Sequence, residues 1–300
     1  MTALEHGEYY GLPTRVLRNQ YLRLEFLAAA GPRLVRCAPL TAGAQAGGNL
    51  LAEVPDFKFN TAYGDFHFRG GHRLWHAPEA APRTYVPDDD GLTIEETPGG
   101  VKLIGPVEAA TGFRKSIEIQ LQPDRPAVTL RHELQYSGAW PVEAAPWAIT
   151  QLQLGGIGVL PQPAGAVNGE LLPNRQLALW PYASWRDPRL ELGDDFMLFR
   201  AEARPPFKIG YRNTHGWLGY WRAGVFFLKR FDQPGSGPYP DFGSNAEMYC
   251  NDAFFELETL GALTRVEPGQ TLTHVEVWEI YRGLDLPDVP PALRARLIER

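Results

Sequence analysis

Only two of the 300 residues are cysteine, Cys37 and Cys250, too few for the disulfide framework that staples small secreted folds. Two free, buried thiols are expected. The chain also lacks any block of basic residues and carries a net charge of −6. That excludes the clustered Lys and Arg on which phosphate-backbone affinity rests, and with them a nucleic-acid partner. No apolar run approaches the roughly 18 residues needed to cross a bilayer as a helix. Residues 1–11 lack the basic start and apolar stretch of a secretory signal, and no Asn-x-Ser/Thr sequence occurs, so a cytoplasmic location is the expectation. There is no Gly-x-x-x-x-Gly-Lys-Ser/Thr loop, no His-Glu-x-x-His, no Gly-x-Ser-x-Gly elbow and no dinucleotide fingerprint after a strand, so no cofactor is expected. The glycines of Gly155-Gly156-Ile157-Gly158 are followed by no helix signal and read as a turn.

What the chain does contain is glycine (31), proline (27) and aromatic residues (12%), with an apolar fraction of 44% that can build a sizeable core. Gly and Pro recur at short intervals, with no low-complexity linker, so they punctuate many short segments within one domain spanning residues 1–300. Between the breaks lie strand-like runs at Tyr21–Leu27, Gly91–Glu96, Val101–Ile104, Arg114–Leu121, Ala127–Tyr136, Val225–Phe231 and Thr271–Tyr281. In Ser116-Ile117-Glu118-Ile119-Gln120-Leu121 every second residue is apolar, which in an extended chain gives one buried and one wetted face. Helical spacing is clear only in the tail 291–300, where Leu293 and Leu297 stand four apart among arginines. The expectation is all-β: a large antiparallel β-sandwich with a short C-terminal helix.

Three segments carry a family resemblance. The first, Asn19 to Phe26 with Gly31 to Arg36 and Asn49-Leu50-Leu51, looks like the opening strands of aldose 1-epimerase relatives. The second, Phe68-Arg69-Gly70-Gly71-His72-Arg73-Leu74-Trp75-His76-Ala77-Pro78-Glu79, resembles a turn that hexose-6-phosphate epimerases place at the sugar site. The third, Phe255-Glu256-Leu257-Glu258-Thr259-Leu260, is similar to the strand bearing the general base in aldose 1-epimerases. The segments fall in the expected order, and with Pro146-Trp147-Ala148-Ile149-Thr150-Gln151 they point to a branch of the galactose mutarotase-like superfamily. That resemblance implies the supersandwich fold, a small carbohydrate as ligand, and Glu258 as base. The enzymes carry their acid in a His-x-Tyr-Phe-Asn segment where this chain has Trp147 and Thr150.

Interconverting anomers needs a base for the C1 hydroxyl and an acid for the ring oxygen. Glu256 and Glu258 are two apart and share a face of an extended strand, so one carboxylate can raise the pKa of the other. His72 or His76 is the expected substitute acid, since imidazole titrates near neutrality, and Arg69 and Arg73 are expected to bind hydroxyls or a carboxylate. Lys229 follows Phe227 at period two, points inward, and is expected to pair with Glu256 or Glu258. Asn213 and Trp217, in the mixed polar segment Lys208 to Trp217, are further candidates to line the cleft. Three functions remain open: a mutarotase or epimerase, a sugar-binding protein without catalysis, and a metal-dependent β-barrel enzyme using His72 and His76 with Glu79. In a strand the two imidazoles stand about 13 Å apart by the rise per residue, so no metal site is expected.

Overall fold

The computed structural model describes residues 4–40, 48–163 and 172–283. The helix expected over 291–300 lies outside them. Two antiparallel sheets pack face to face, and a two-stranded hairpin covers the outside of one of them. The expected strands are present with ends moved by a few residues, as Leu22–Leu27, Thr93–Thr97, Gly100–Val107, Phe113–Leu121, Ala127–Tyr136, Val225–Phe231 and Thr271–Arg282. Among the described residues the single helical element is one distorted turn at Pro240–Gly243.

The first sheet has eleven strands. Its centre runs Arg33–Pro39, His72–Ala77, Val142–Leu152, Phe255–Leu260, Ala246–Cys250 and Phe207–Tyr211. The second has ten, with Trp217–Arg222, Val225–Phe231, Thr271–Arg282, Ala127–Tyr136 and Phe113–Leu121 as central neighbours. Alternation does what the sequence suggests: Ile117, Ile119 and Leu121 turn into the core while Glu118 and Gln120 do not. The space between the sheets is filled by Leu24, Phe26, Leu74, Leu103, Ile119, Leu130, Phe227, Phe255 and Leu257, among others. Each such side chain contributes about 1.5–3 kcal/mol through burial. Cys37 and Cys250 are free and buried.

This core is not wholly apolar. Where the sheet centres meet, His72, His132, His274, Glu276, Lys229, Thr150 and Thr259 are all buried. His132 Nδ1 lies 3.0 Å from the His274 carbonyl and must donate to it, so in the neutral ring its Nε2 accepts. His72 Nε2, 2.7 Å away, is then the donor, and His72 Nδ1 accepts from the Thr150 hydroxyl at 2.9 Å. Thr150 Oγ1 in turn accepts from Lys229 Nζ at 3.0 Å. The same ammonium lies 2.8 Å from Glu276 Oε1, and Trp278 Nε1 donates to Glu276 Oε2 at 2.9 Å. Each member is partnered, the condition under which a buried polar network is tolerated. Burial holds the three imidazoles below their ordinary value of 6.5, His274 at about 3. Burial alone would raise Glu276, but the Lys229 ammonium together with the surrounding His72, His132 and His274 more than offsets it and holds the carboxyl well below the usual range.

Between the covering hairpin, Glu53–Thr61 with Gly64–Gly70, and the first sheet, the chain reverses through Arg69, Gly70 and Gly71, all with positive φ (54°, 82° and 74°). A Cβ on Gly70 would stand 2.0 Å from the Ala52 carbonyl oxygen, and one on Gly71 1.9 Å from that of Leu34. Only glycine meets both demands.

Two outcomes follow for stability. Gly71→Ala is expected to cost at least about 2 kcal/mol in denaturant unfolding, because it combines a backbone clash with a left-handed conformation; an unchanged midpoint would contradict the close approach. The inter-sheet network predicts acid lability. The unfolded chain protonates its histidines near 6.5 while the folded chain resists, and the depressed Glu276 carboxyl loses its contribution further down. The network's contribution is therefore full above that pH and falls steadily below it, whereas the carboxyls of Glu247 and Glu256 on the outer face, held above their ordinary value, act in the opposite direction over the same range. In Glu247→Gln/Glu256→Gln, which removes that opposing contribution, unfolding free energy that stays level between about pH 7 and about pH 5 would refute this.

Candidate functional site

The outward face of the first sheet carries Arg73, Trp75, Trp147, Ile149, Gln151, Glu256, Glu258 and Lys208, brought together by register. Trp75 opposes Trp147, Arg73 opposes Ile149, and Ile149 and Gln151 oppose Glu258 and Glu256. Across the next two strands Glu247 opposes Glu258, Tyr249 opposes Glu256, and Lys208 opposes Tyr249. The hairpin lies over this face through Phe66 and Phe68, which contact Trp75 edge-on or tilted at 5.5 and 6.1 Å between centroids. Beneath the hairpin is a cavity of about 340 Å³. Its walls are aromatic, with Phe57, Phe59, Trp75, Tyr85, Trp147 and Tyr249 among them, and its polar lining includes Arg73, Glu79, Lys208, Asn251 and Glu256.

The charged floor is built in two pairs. Arg73, 2% exposed, places Nη2 3.3 Å from Glu256 Oε1 and lies with its guanidinium carbon 4.2 Å from the Trp75 ring centroid. Gln151 Nε2 donates to the same carboxylate oxygen at 2.8 Å. Burial, together with the neighbouring negative charge of Glu258, raises the Glu256 carboxyl from 4.5 to about 7, with Arg73 opposing. Beside this pair, Lys208 Nζ stands 2.9 Å from Glu258 Oε2 and 2.8 Å from Glu247 Oε2, over the rings of Trp147 and Trp180 at 4.7 and 4.6 Å. The contact to Glu258 is an aligned hydrogen bond; that to Glu247 has ion-pair distance without hydrogen-bond alignment. Burial pushes Glu247 well above the carboxylate range, with the Lys208 ammonium opposing. Lys208 is pulled down by burial but held well above its ordinary value by the two carboxyls, so it stays charged. Trp147 Nε1 donates to Glu258 Oε2 at 2.7 Å.

Arg73 and Glu256 line the cavity, whereas Glu258 is fully buried and lies outside its lining, clamped by Trp147 and Lys208. The other candidates lie elsewhere. His72 and His76 occupy alternate positions with Arg73 and Trp75 and therefore face the core: His72 is in the inter-sheet network and His76 stacks on Phe113 at 4.8 Å. The expected substitute acid is thus on the wrong side of the sheet. Lys229 pairs with Glu276 on the adjacent strand of its own sheet, not with Glu256 or Glu258. Arg69 turns away to Asp88 and Asp89. Asn213 ties its own turn together, its side-chain oxygen accepting from the backbone of His215 and Gly216, and Trp217 packs with Val159, Phe226 and Leu228.

Nor do His72, His76 and Glu79 converge on an ion. The compact trio is His72, His132 and Glu276, with ligand atoms within 4.8 Å of one another. The imidazole nitrogens there already satisfy each other, and the Lys229 ammonium holds the carboxylate, so these residues do not suit a cation. Sequence reasoning passed over Tyr85, Tyr249 and the hairpin phenylalanines. A signal existed in the last of these: Phe57 with Phe59 and Phe66 with Phe68 stand two apart in extended runs, a continuous aromatic face.

Two large sheets with a roofed, aromatic hollow on one outer face define a class of architecture. No protein-family model matches the chain, and no curated protein matches it in sequence. Solved structures do match in fold. A putative mutarotase from Salmonella typhimurium is 12% identical, with 94% of this chain and 95% of that one covered and a TM-score of 0.59. A putative aldose 1-epimerase from Klebsiella pneumoniae subsp. pneumoniae is 9% identical over 93% and 82%, also at 0.59. A TPR-domain containing protein from Parabacteroides distasonis is 12% identical over 92% of this chain at 0.61, and this chain spans about half (48%) of its length. The chain therefore has the galactose mutarotase-like β-sandwich fold.

The electrostatics of the floor are open to direct measurement. A carboxyl-carbon NMR titration is expected to show Glu256 titrating near 7 and moving down in Glu258→Gln, which removes the neighbouring negative charge. No movement in that variant would mean that the two carboxyls are not coupled.

Proposed function

We propose that the protein binds a small carbohydrate in the roofed cavity. The observation that carries this reading is the pairing of an aromatic wall with a buried, ion-paired floor: rings offer faces to the C–H side of a sugar, and Arg73, Glu256, Lys208 and Asn251 offer donors and acceptors to its hydroxyls. A cavity of about 340 Å³ suits one sugar ring better than an extended chain. The fold likeness is compatible with this reading but carries no activity by itself.

A second reading, ring-opening catalysis at C1, is favoured by one feature, the Glu256 carboxyl poised at about 7 on the cavity wall. In that reading Glu256 exchanges the proton and Glu258, locked beneath it, acts by raising its pKa. No imidazole lines the cavity, so the acid would have to come from Glu79, Tyr85 or Lys208. The absence of a ready acid makes binding without catalysis the better supported of the two.

Calorimetry with α-glucose, α-galactose and their 6-phosphates tests binding. Saturable heat is expected for at least one, weakened about ten- to a hundredfold in Arg73→Met, since hydrogen bonds to a charged donor are worth about 1.5–3 kcal/mol. Wild-type protein binding none of the four would overturn the proposal. For whichever sugar binds, polarimetry separates the readings: acceleration over buffer that disappears in Glu256→Gln with affinity retained selects catalysis, and buffer-level rates select binding alone.

A further inference from the structure

The roofed cavity is lined by two cations, Arg73 and Lys208, and two carboxyls, Glu79 and Glu256. Beneath the lining lie two more carboxyls, Glu247 and Glu258, both fully buried and both at ion-pair distance from Lys208. With Glu247 and Glu256 protonated these charges cancel, and with both ionised the site is negative; in no state is it positive. Surrounding cations do not alter the balance. Arg33 and Arg69 are held by Asp88 and Asp89, and Arg83, outside the lining, turns its guanidinium to the Pro78 carbonyl.

The free hydrogen-bonding groups share this bias. Arg73 Nη2 and Gln151 Nε2 both meet Glu256 Oε1, at 3.3 and 2.8 Å, so Oε2 of this carboxyl, in a side chain only 7% exposed, has no partner among the described residues. Glu79 Oε1 accepts from the Tyr85 hydroxyl, and no cation among the described residues pairs with that carboxylate. The cationic donors are engaged or sealed: Arg73 Nε and Nη1 are shut off from solvent, and Lys208 keeps one N–H beyond its two carboxyls.

A group that suits this wall donates to a carboxylate oxygen, brings positive charge, and tolerates the ring faces of Tyr85 and Tyr249. A hydroxyl lacks the charge, and a phosphate carries the wrong one. An ammonium meets all three conditions. Burial and the Glu258 charge hold the Glu256 carboxyl at about 7, and a cation at Oε2 would draw it down into the ionised form.

We propose that the cavity selects an amino sugar, its ammonium seated at Glu256 Oε2, and rejects sugar phosphates. This rests on the carbohydrate reading above and narrows it by charge.

Calorimetry of the full chain at pH 7 tests it with 2-amino-2-deoxyglucose and 6-amino-6-deoxyglucose against glucose, glucose 6-phosphate, the N-acetylated form of each amino sugar, and cyclohexylamine. At least one amino sugar is expected to bind about tenfold or more tighter than glucose, as a hydrogen bond between two charged groups predicts, with the 6-phosphate weakest. Acetylation, which removes the charge, is expected to erase that preference, and Glu256→Gln to bring the ratio of amino sugar to glucose towards one. Should Glu256→Gln fail to fold, the acetylated sugars on wild-type protein still decide. Glucose or its 6-phosphate binding as tightly as both amino sugars, or acetylated forms that keep the preference, overturns the ammonium site and leaves the carbohydrate reading standing. Cyclohexylamine binding as tightly as the amino sugars, or no binding by any of these compounds, overturns both.

Discussion

Every residue of the Phe255–Leu260 strand is buried, yet Glu256, Glu258 and Thr259 each carry a polar group that water would otherwise serve. A buried carboxylate without a partner is prohibitive, so the strand dictates what must stand around it. Outward, Glu258 requires Lys208 and the Trp147 indole, and Glu256 requires Arg73 and Gln151. Inward, the Thr259 hydroxyl is shared between His274 and Glu276, and the strand's own Leu257 carbonyl accepts from Lys229 at 2.9 Å. Partners on three strands of one sheet and two of the other are thus tied to six residues.

The outward side of that arrangement gives the cavity its chemistry. Because Glu258 is sealed, with Oε2 held by Trp147 and Lys208 and Oε1 buried without a partner among the described residues, its charge acts on Glu256 without being available to a ligand, and the cavity receives a single carboxyl near neutrality. The hairpin supplies the complementary half. Its aromatic residues would be a liability on an open strand pair, but folded onto Trp75 and Arg73 they exclude water from the floor and strengthen every electrostatic contact beneath. Arg73, stacked between Phe68 and Trp75 at 5.2 and 4.2 Å, joins roof and floor.

Much of the fold was legible in the chain because its signals are local. Alternation in residues 116–121, the density of Gly and Pro, and the period-two placement of Glu256 and Glu258 each depend on the extended geometry of a few consecutive residues. Legibility ended where a face had to be chosen. His72 and Arg73 are neighbours in sequence and both polar, and a strand sends them to opposite sides; nothing in the local pattern says which side is the cavity. Lys229 was recognisable as inward-pointing, but Glu256 and Glu258 face away from the interior, and its partner is Glu276 on the adjacent strand of its own sheet.

The sequence by itself determined that this is an antiparallel β-sandwich and that one strand carries two carboxylates on a common face, since both follow from short-range periodicity. The tertiary structure alone decided that Glu256 meets the cavity while Glu258 lies sealed beneath it, that Lys208 and Trp147 are the residues that seal it, and that the histidines belong to the core. Those outcomes depend on register between strands distant in the chain, and a shift of one residue in any pairing would exchange the two faces.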